Sequence, residues 1–298
     1  MTVVVIGQIA RDLVLRTAEF PESGDSAAVR TRRELLGGKG ANQAVGLAQL
    51  GMPVSLVGVV GDDHVGEQLL SGAKADHIDV SQVVRRPGAE TALIVDVVDD
   101  HGQWRYLEHV PHDVLVTERD VFAASEHIYA AQAVIVQLQQ PPEAALEAAR
   151  LGRAAGVKVV LDGSPGEELL RHADILRADA REAGLWAGRE IRDVRTAVEV
   201  GEALLEYGLS LAVLEVSGQG NVFVARDGHE FLPLTTVDVV DTTGAGDALV
   251  ATLTYALVTG KPLRVAARLA VTAAALTSEH AGGRPQLSVD RLASGPLG

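Results

Sequence analysis

Cysteine is absent from this 298-residue sequence, which excludes disulfide bonds and thiolate catalysis. Aromatic residues are scarce, at 3%, although 47% of all residues are hydrophobic. We therefore expect a large core made mostly of Ala, Val, Leu and Ile. The lack of disulfides is typical of reducing compartments, and it predicts a cytoplasmic location. The length predicts one large domain or two small ones.

Positive charge is also scarce: 26 Lys and Arg oppose 40 Asp and Glu, a formal net charge of -14. This balance excludes binding to nucleic acid or to an anionic membrane through bulk charge. No apolar run is long enough to span a bilayer. The first seven residues have no basic segment and too short an apolar run for a signal peptide. We expect small-molecule partners, because a phosphate site needs only local donors.

Apolar runs alternate with helical segments along most of the chain. This alternation predicts an α/β fold with a doubly wound, mainly parallel sheet flanked by helices. No linker interrupts it, so residues 1–298 are assigned to a single domain. The predicted strands are 3–7, 54–60, 133–137, 157–161, 173–176 and 211–216, with a pair at 222–225 and 230–234, and the main predicted helices are 61–74, 141–155, 194–207, 249–257 and 262–280.

A hairpin interrupts the alternation. Residues 91–98 and 103–109 read as two strands joined by the turn Asp99-Asp100-His101-Gly102. Such a hairpin does not belong to a parallel layout. We assign it to a small separate sheet made of about residues 12–35 and 88–110.

The stretch that carries most chemistry is Asp241-Thr242-Thr243-Gly244-Ala245-Gly246-Asp247-Ala248. It follows an apolar run, 237–240, which we interpret as extended, and it precedes a helix. Two glycines let a ligand approach the backbone, and the amides of residues 244–246 at a helix start attract anions. Asp247 beside a bound phosphate is predicted to be a base that takes a proton from an attacking hydroxyl. The alternative is a helix cap with ordinary glycine turns.

A second glycine-rich stretch is Gly37-Gly38-Lys39-Gly40-Ala41-Asn42-Gln43-Ala44. Gly38 would let polyol hydroxyls approach the backbone, and the amide of Asn42 both donates and accepts hydrogen bonds. Lys39 could support substrate or phosphate, or be a solvated lysine. The alternative for the whole stretch is a loop that begins a helix over 41–50.

Together the two stretches, about two hundred residues apart, resemble the C-terminal and N-terminal signatures of the ribokinase-like (PfkB) carbohydrate kinases. The motif GGKGANQA is typical of the ribokinase branch. The resemblance implies a ribokinase-like fold in which the small sheet is a lid over the sugar. It also implies transfer of the γ-phosphoryl of ATP, with Mg²⁺, to a hydroxyl of ribose or a related pentose or hexose. The sequence has neither a P-loop nor the protein-kinase motifs.

The resemblance assigns the acceptor sugar to Asp12, Gly38, Asn42 and Gln139, with Lys39 and Asp247 nearby. Asp12 follows the first strand, where open α/β sheets bind ligands. Ribokinases usually carry glutamate where Gln139 stands. Gln139 keeps hydrogen-bonding capacity but has no charge, so a sugar other than ribose is an open alternative.

For the nucleotide, the resemblance points to a loop and a helix start. The loop Ser217-Gly218-Gln219-Gly220 matches loosely, and Gly246 would contact the transferred phosphate. An N-x-x-E motif that orders magnesium is matched by Asp179 and Glu182, the latter acting through water, with aspartate where asparagine is usual. An ionised Asp179 cannot donate a hydrogen bond. The alternative is two surface acids at a helix start.

Asp241 and Thr243, with the glycine pair at 282–283, match a site that holds a monovalent cation, such as K⁺, in ribokinases. The resemblance also implies a homodimer through the lids. Trp104, Tyr106 and Leu107 would place apolar groups on both faces of the hairpin, so we expect Trp104 to contribute to the dimer contact.

Three alternatives to a sugar kinase stay open. A nucleoside kinase would use aromatic side chains such as Trp104 and Tyr106 to stack a base. A phosphosugar kinase would need cations such as Arg11 and Arg105. A non-catalytic sugar- or nucleotide-binding protein is a third reading, against which the complete octet around Asp247 argues.

Overall fold

Nine strands form the central sheet in the computed structural model, which describes residues 1–235 and 237–295. Their order is β13-β12-β11-β10-β9-β8-β1-β4-β5. Neighbours from β5 to β11 are parallel, whereas β12 is antiparallel to both β11 and β13. These strands are β1 (Val3–Ile6), β4 (Val54–Gly61), β5 (Asp79–Arg86), β8 (Ala133–Gln137), β9 (Lys158–Asp162), β10 (Ile175–Ala178), β11 (Leu211–Val216), β12 (Gly220–Ala225) and β13 (Gly228–Pro233).

A separate four-stranded sheet has the order β3-β2-β6-β7. Strand β2 is parallel to β6, and the two outer pairs are antiparallel. Its strands are β2 (Ala10–Thr17), β3 (Val29–Gly37), β6 (Leu93–Val98) and β7 (Trp104–His109). The predicted hairpin is therefore confirmed, and the segments expected to form a small sheet do so.

Helices cover both faces of the central sheet. Apolar residues of α1, α2, α9 and α10 share one core with the sheet, and those of α3, α4, α5, α6, α7 and α8 share the other. The helices are α1 (Lys39–Gln49), α2 (His64–Ala75), α3 (Glu118–Ala123), α4 (Ser125–Ala130), α5 (Pro142–Ala154), α6 (Glu167–Leu170), α7 (Ala180–Ala187), α8 (Val194–Leu205), α9 (Ala245–Val258), α10 (Leu263–Ser278) and α11 (Val289–Ala293). A short 3-10 turn spans His112–Val114.

The first strand shows why the sheet is buried on both sides. Val3 lies opposite Val54 on one neighbour and Ala133 on the other. Alternate side chains of a strand point to opposite faces; Val4 accordingly packs in one core and Val5 in the other. A strand with helices on both faces reads as a continuous apolar run, which is the pattern that made β1 predictable.

Three differences from the predicted elements have physical reasons. Strand β5 was not predicted, because it is a partly exposed edge strand with a polar sequence. The bounds of strand β2 were not predicted within the segment 12–35 assigned to the small sheet, since only alternate residues of β2 are buried. The run 237–240 is not a strand in the structure, and Val239 is exposed. No helix of the described residues has both the length and the apolarity that crossing a bilayer requires.

Candidate active site

A cavity of about 570 Å³ opens between the carboxyl edge of the central sheet and the small sheet. Open α/β sheets bind their ligands at this edge. Strands β1, β8, β10 and β11 all end beside the cavity, and the start of α9 closes one wall. Most of the predicted site residues line it: Asp12, Gly38, Lys39, Asn42, Gln139, Asp179, Gly218, Thr243, Gly244, Ala245, Gly246 and Asp247.

Helix α9 carries the glycine turn of the octet. Gly244 caps the helix with φ 72°, a left-handed conformation that favours glycine. A methyl group on Gly244 would also overlap the carbonyl of Gly283. The amide of Ala245 donates to the Thr242 carbonyl at 3.3 Å, so it is not as free as the sequence predicted. The amides of Gly244 and Gly246 have no such backbone partner among the described residues.

Asp247 lies at the first turn of α9 and is buried. Its Oδ2 accepts a hydrogen bond from Asn42 Nδ2 at 3.1 Å, and its Oδ1 accepts one from Gln43 Nε2 at 3.2 Å. Burial, and then the charge of Asp162, raise the pKa of Asp247 to about 7. The same pKa is lowered by the charges of Lys39 and Arg177 and by the hydrogen bond from Asn42. A carboxyl group with a pKa near neutrality is suited to exchange protons with a substrate.

Asp12 lies on β2 of the small sheet rather than in a turn after β1, and it is buried. Gly37 makes room for it, because a methyl group at residue 37 would overlap the Asp12 carboxyl. Burial, followed by the charge of Asp247, raises the pKa of Asp12 to about 7. Its Oδ1 and the Oδ1 of Asn42 have no partner among the described residues. Two unused acceptors in one cavity suit a ligand rich in hydroxyl groups.

Lys39 lies on the same cavity wall. Burial opposes its charge, but Asp162, Asp247 and Glu182 outweigh that effect and raise the pKa of Lys39. Its Nζ lies 3.6 Å from Glu182 Oε1. Lys39 lines the cavity and is not fully solvated, and a contact with substrate or phosphate stays a prediction.

Asp179 and Glu182 form a capping box at the start of α7. The Glu182 amide donates to Asp179 Oδ1 at 2.7 Å, and the Asp179 amide donates to Glu182 Oε2 at 2.9 Å. The simpler interpretation, two acids that stabilise a helix start, therefore holds for both residues. Asp179 also lines the cavity, so the capping role and a ligand-facing role coincide there.

Asp241 ties two loops together beneath the cavity. Its Oδ1 accepts from the amide and the hydroxyl of Thr243 at 2.9 and 2.6 Å, and its Oδ2 accepts from the Gly282 amide at 2.8 Å. Only 1% of its surface is exposed. Among the described residues it has no salt-bridge partner. This buried carboxyl group lies beside the predicted glycine turn.

The nucleotide loop of the sequence analysis is only partly brought to the cavity. Gly218, Glu215 and Asn221 line it, whereas Ser217 and Gly220 do not. Gly220 instead starts β12, where a side chain would overlap the backbone of β13 at Leu232. Gln139 is exposed at the rim, at the carboxyl end of β8.

Sequence reasoning missed three polar residues behind Asp247. Gln43 donates to Asp162 Oδ2 at 2.8 Å as well as to Asp247, and Arg177 Nη1 donates to Asp162 Oδ1 at 3.2 Å. All three are buried. Two of them could have been found from the sequence, because Asp162 is the last residue of β9 and Arg177 is the last but one of β10. Both thus lie at the carboxyl edge of the sheet, where ligands bind in such folds. Polar residues at these positions of apolar strands are exceptions to the strand pattern.

The two faces of the small sheet differ in what they contact. The rings of Trp104 and Tyr106 are in contact, with centroids 4.6 Å apart and planes tilted by 36°, and both residues line the cavity. Leu107 points to the other face, where it lines an outer groove of about 290 Å³ with Val29 and Val97. Alternation on β7 places Trp104 with Tyr106 on the face that lines the cavity. Trp104 is 45% exposed there, and its part in a dimer contact stays a prediction.

Asp96, also on the small sheet, was not singled out by the sequence. It is buried, and neither carboxylate oxygen has a hydrogen-bond partner among the described residues. Burial, then the charge of Asp241, raise the pKa of Asp96 to about 8. Burial and Asp241 also raise the pKa of Tyr106, whose hydroxyl lies 3.4 Å from Asp241 Oδ1.

The fold and this cavity together describe an α/β protein with a buried carboxyl, Asp247, at the glycine-rich start of a helix beside the carboxyl edge of the sheet. The family model described as "pfkB family carbohydrate kinase" matches residues 1–289. The chain belongs to this family, and its relatives place it in the ribokinase branch. It is a sugar kinase of the class that uses ATP.

Individual relatives agree with that assignment. The ribokinase of Bacillus subtilis is 31% identical over 279 residues, covering 92% of this chain and 91% of the relative. A bifunctional ribokinase/ribose-5-phosphate isomerase A of Fructilactobacillus sanfranciscensis is 30% identical, covering 95% of this chain and 53% of the relative. The chain thus spans about half of that longer protein. The structure of Arabidopsis thaliana ribokinase complexed with ribose and ATP is 25% identical, with a TM-score of 0.79 and 95% of each chain covered.

Proposed function

We propose that this protein transfers the γ-phosphoryl group of ATP to a hydroxyl of a small sugar, with Asp247 as the general base. One observation carries the proposal. The carboxyl of Asp247 lines the same cavity as Asp12 and Asn42, and it stands at the start of a helix where the amides of Gly244 and Gly246 have no backbone partner among the described residues, which suits an anion. A hydroxyl bound by Asp12 and Asn42 would lie between the base and the phosphate.

The reaction needs one proton acceptor and one anion site. The acceptor hydroxyl gives its proton to Asp247 while its oxygen forms a bond to the γ-phosphorus. The bond from that phosphorus to the β,γ-bridging oxygen breaks, and its electron pair leaves on ADP. Charge on the transferred group is met by the amides of Gly244 and Gly246.

Replacement of the base tests this proposal. Asp247→Asn should lower kcat by about a hundredfold or more, because an amide cannot accept the proton. Sugar and ATP binding, measured by calorimetry, should be largely kept, since asparagine has nearly the shape of aspartate. A near-normal kcat for the variant would refute the role of Asp247.

The identity of the sugar is proposed from Gln139. We propose that the preferred acceptor is ribose or a related pentose or hexose, and that the uncharged Gln139 weakens the preference for ribose itself. Turnover with ATP and a panel of pentoses, hexoses, their phosphates and nucleosides would decide. Gln139→Glu should raise kcat/KM for ribose relative to other sugars. If ribose is already the best substrate with a low KM, this proposal fails.

A nucleoside acceptor is a second candidate, favoured by one observation. The rings of Trp104 and Tyr106 line the cavity opposite the sheet edge, and such a platform can stack a base. In the same panel, Trp104→Ala should lower kcat/KM for nucleosides more than for free sugars. Equal losses for both classes would exclude this candidate.

Mg²⁺ is proposed to bind with ATP near Asp179 and Glu182. In the described part of the chain, no group of three or more acids or histidines could hold a metal on its own. This fits Mg²⁺, which keeps several waters and binds mainly through substrate phosphates. When bound, the ion would neutralise phosphate charge. Glu182, with one oxygen in the capping box and the other near Lys39, would hold its water.

A monovalent cation such as K⁺ is proposed near Asp241 and Thr243. The supporting observation is a buried carboxylate without a salt-bridge partner among the residues described. A buried charge needs compensation. A bound cation would supply it and keep the Asp241–Gly282 contact closed, which in turn positions the octet.

We also propose a homodimer in which the small sheets act as lids and pack together. Support comes from the outer face of that sheet, where Leu107 is 68% exposed and Val29 is 50% exposed. These residues belong to the outer groove, which also contains Phe20 and Val97. Apolar groups grouped on one sheet face suit a partner surface, and a two-fold axis would pair the face with itself.

A further inference from the structure

We propose that Arg177 is a further catalytic residue, whose guanidinium binds an oxygen of the phosphoryl group during transfer. The proposal rests on the phosphoryl-transfer function proposed above. Arg177 is on β10, only 8% of its surface is exposed, and it lines the cavity. Of the described residues around the cavity, the cationic ones are Lys39 and Arg177.

The position of the guanidinium is set by Gly246. A methyl group on Gly246 would lie 2.7 Å from Arg177 Nη2 and 2.8 Å from Cζ and Nη1. The guanidinium therefore rests against the peptide whose amide faces the transferred group. Glycine at residue 246 makes that contact possible, since any other side chain would push the guanidinium away. Arg177 is thus placed at the anion end of the cavity and not at the sugar end.

The hydrogen bonds of Arg177 leave most of its donors unused. A guanidinium has five N–H groups. Nη1 donates to Asp162 Oδ1 at 3.2 Å. Nε is buried and has no partner among the described residues, and no hydrogen bond from Nη2 to them is formed. Burial of a cation with unused donors is unfavourable unless a ligand completes them.

A phosphoryl group has the matching chemistry. Arginine binds phosphate oxygens with two parallel N–H groups, which gives both charge and orientation. Asp162 anchors one end of the guanidinium, because Arg177 and Asp162 are neighbours on the parallel strands β10 and β9. Lys39 is already paired with Glu182. Arg177 is paired as well, with Asp162 at 3.2 Å, but its Nε and Nη2 have no partner among the described residues and can therefore meet charge that develops beside Gly246.

In the transfer step, Arg177 gains no proton and loses none. The bonds that form and break are those described above: acceptor oxygen to phosphorus, and phosphorus to the bridging oxygen. Arg177 donates hydrogen bonds to a non-bridging oxygen of the transferred group. These bonds are stronger in the transition state than in bound ATP, so they act on kcat more than on binding.

The test uses three variants of the full chain. Arg177→Met should lower kcat by about a hundredfold, with KM for ATP and for the sugar changed by less than about threefold. Arg153→Met is the matched control. Arg153 also pairs with an aspartate, Asp174, but on an exposed surface outside the cavity, and its loss should leave kcat unchanged.

Removal of Arg177 leaves Asp162 buried without its partner, so the single variant could fail to fold. The double variant Asp162→Asn with Arg177→Met removes both charges, so its kcat can be compared with that of the wild type even if the single variant does not fold. It should fold and be as slow as the single variant. A double variant with kcat within about threefold of the wild type would overturn the proposal.

Binding provides a readout that a structural role would not move. Affinity for ADP with aluminium fluoride, a mimic of the transferring phosphoryl, should fall about a hundredfold in the Arg177 variants, while affinity for ADP alone stays within about threefold. Equal losses for both ligands would also overturn the proposal. If the wild type shows no sugar-dependent turnover, the proposed function is wrong. If the Arg177 variants stay active while Asp247→Asn is inactive, the proposed function stands and the role of Arg177 is wrong.

Discussion

Asp247→Asn should stabilise the folded protein while it removes activity, and the gain should depend on pH. Burial raises the pKa of Asp247 from 3.8 to about 7. That rise means that ionisation of Asp247 costs about 4 kcal/mol more in the folded state than in the unfolded state. The contribution of the protonated group to stability is full below 3.8, its unfolded value, and is lost as the pH rises through about 7. Asparagine carries no charge, so it avoids this loss.

The substitution should cost few hydrogen bonds. Asn42 and Gln43 now donate to the carboxylate, and their own amide oxygens are buried without partners among the described residues. Rotation of the Asn42 amide would offer an oxygen to the new NH₂ group, whereas Gln43 keeps its orientation because its Nε2 also donates to Asp162. The variant should therefore gain stability relative to the wild type by about 3 kcal/mol more at about pH 8 than at about pH 5.

Urea unfolding of both proteins at several pH values measures this difference directly. Asp227→Asn is the control for a loss of one charge, because Asp227 is exposed in the turn between β12 and β13. A stability difference that does not change with pH, or a variant less stable than the wild type at about pH 8, would refute the reasoning. It would mean that the folded protein holds the Asp247 carboxylate at little cost.

Three further predictions follow from the same geometry. The value of kcat/KM should fall as the pH drops below about 7, the pKa of Asp247. Lys39→Met should move this fall to higher pH, because Lys39 lowers the pKa of Asp247. Rates measured across pH test this, and an acidic fall at the same pH in the variant would contradict it. Gly244→Ala should lower the free energy of unfolding, measured with urea, by at least about 1–3 kcal/mol more than Gly260→Ala does. Both glycines have positive φ, but only a side chain at residue 244 would overlap the Gly283 carbonyl. Equal losses of stability in the two variants would mean that the loop can shift. Leu107→Asp should weaken dimerisation in sedimentation experiments, with Val265→Asp, exposed on α10, as the control; a wild-type monomer would contradict the proposed dimer.

The class of fold and the two ends of the candidate site could be predicted from local sequence patterns. Strands buried on both faces, such as β1 and β8, read as continuous apolar runs, and helices separate them along the chain. The octet around Asp247 and the glycine-rich stretch around Asn42 are local patterns, because a turn into a helix is set by neighbouring residues. Hence both could be located without coordinates.

The distant groups that meet Asp247 could not be predicted in this way, because they are brought together by the order of the strands. Asp162 and Arg177 each end or nearly end a strand, but their pairing depends on β9 and β10 being neighbours in register. Strand order is a long-range property that local periodicity does not encode. The same holds for the small sheet: the face on which Trp104 lies depends on how β7 pairs with β6 and on which side the cavity opens. The pKa of Asp247 is likewise a tertiary property, since burial by α1, α9 and the sheet edge raises it.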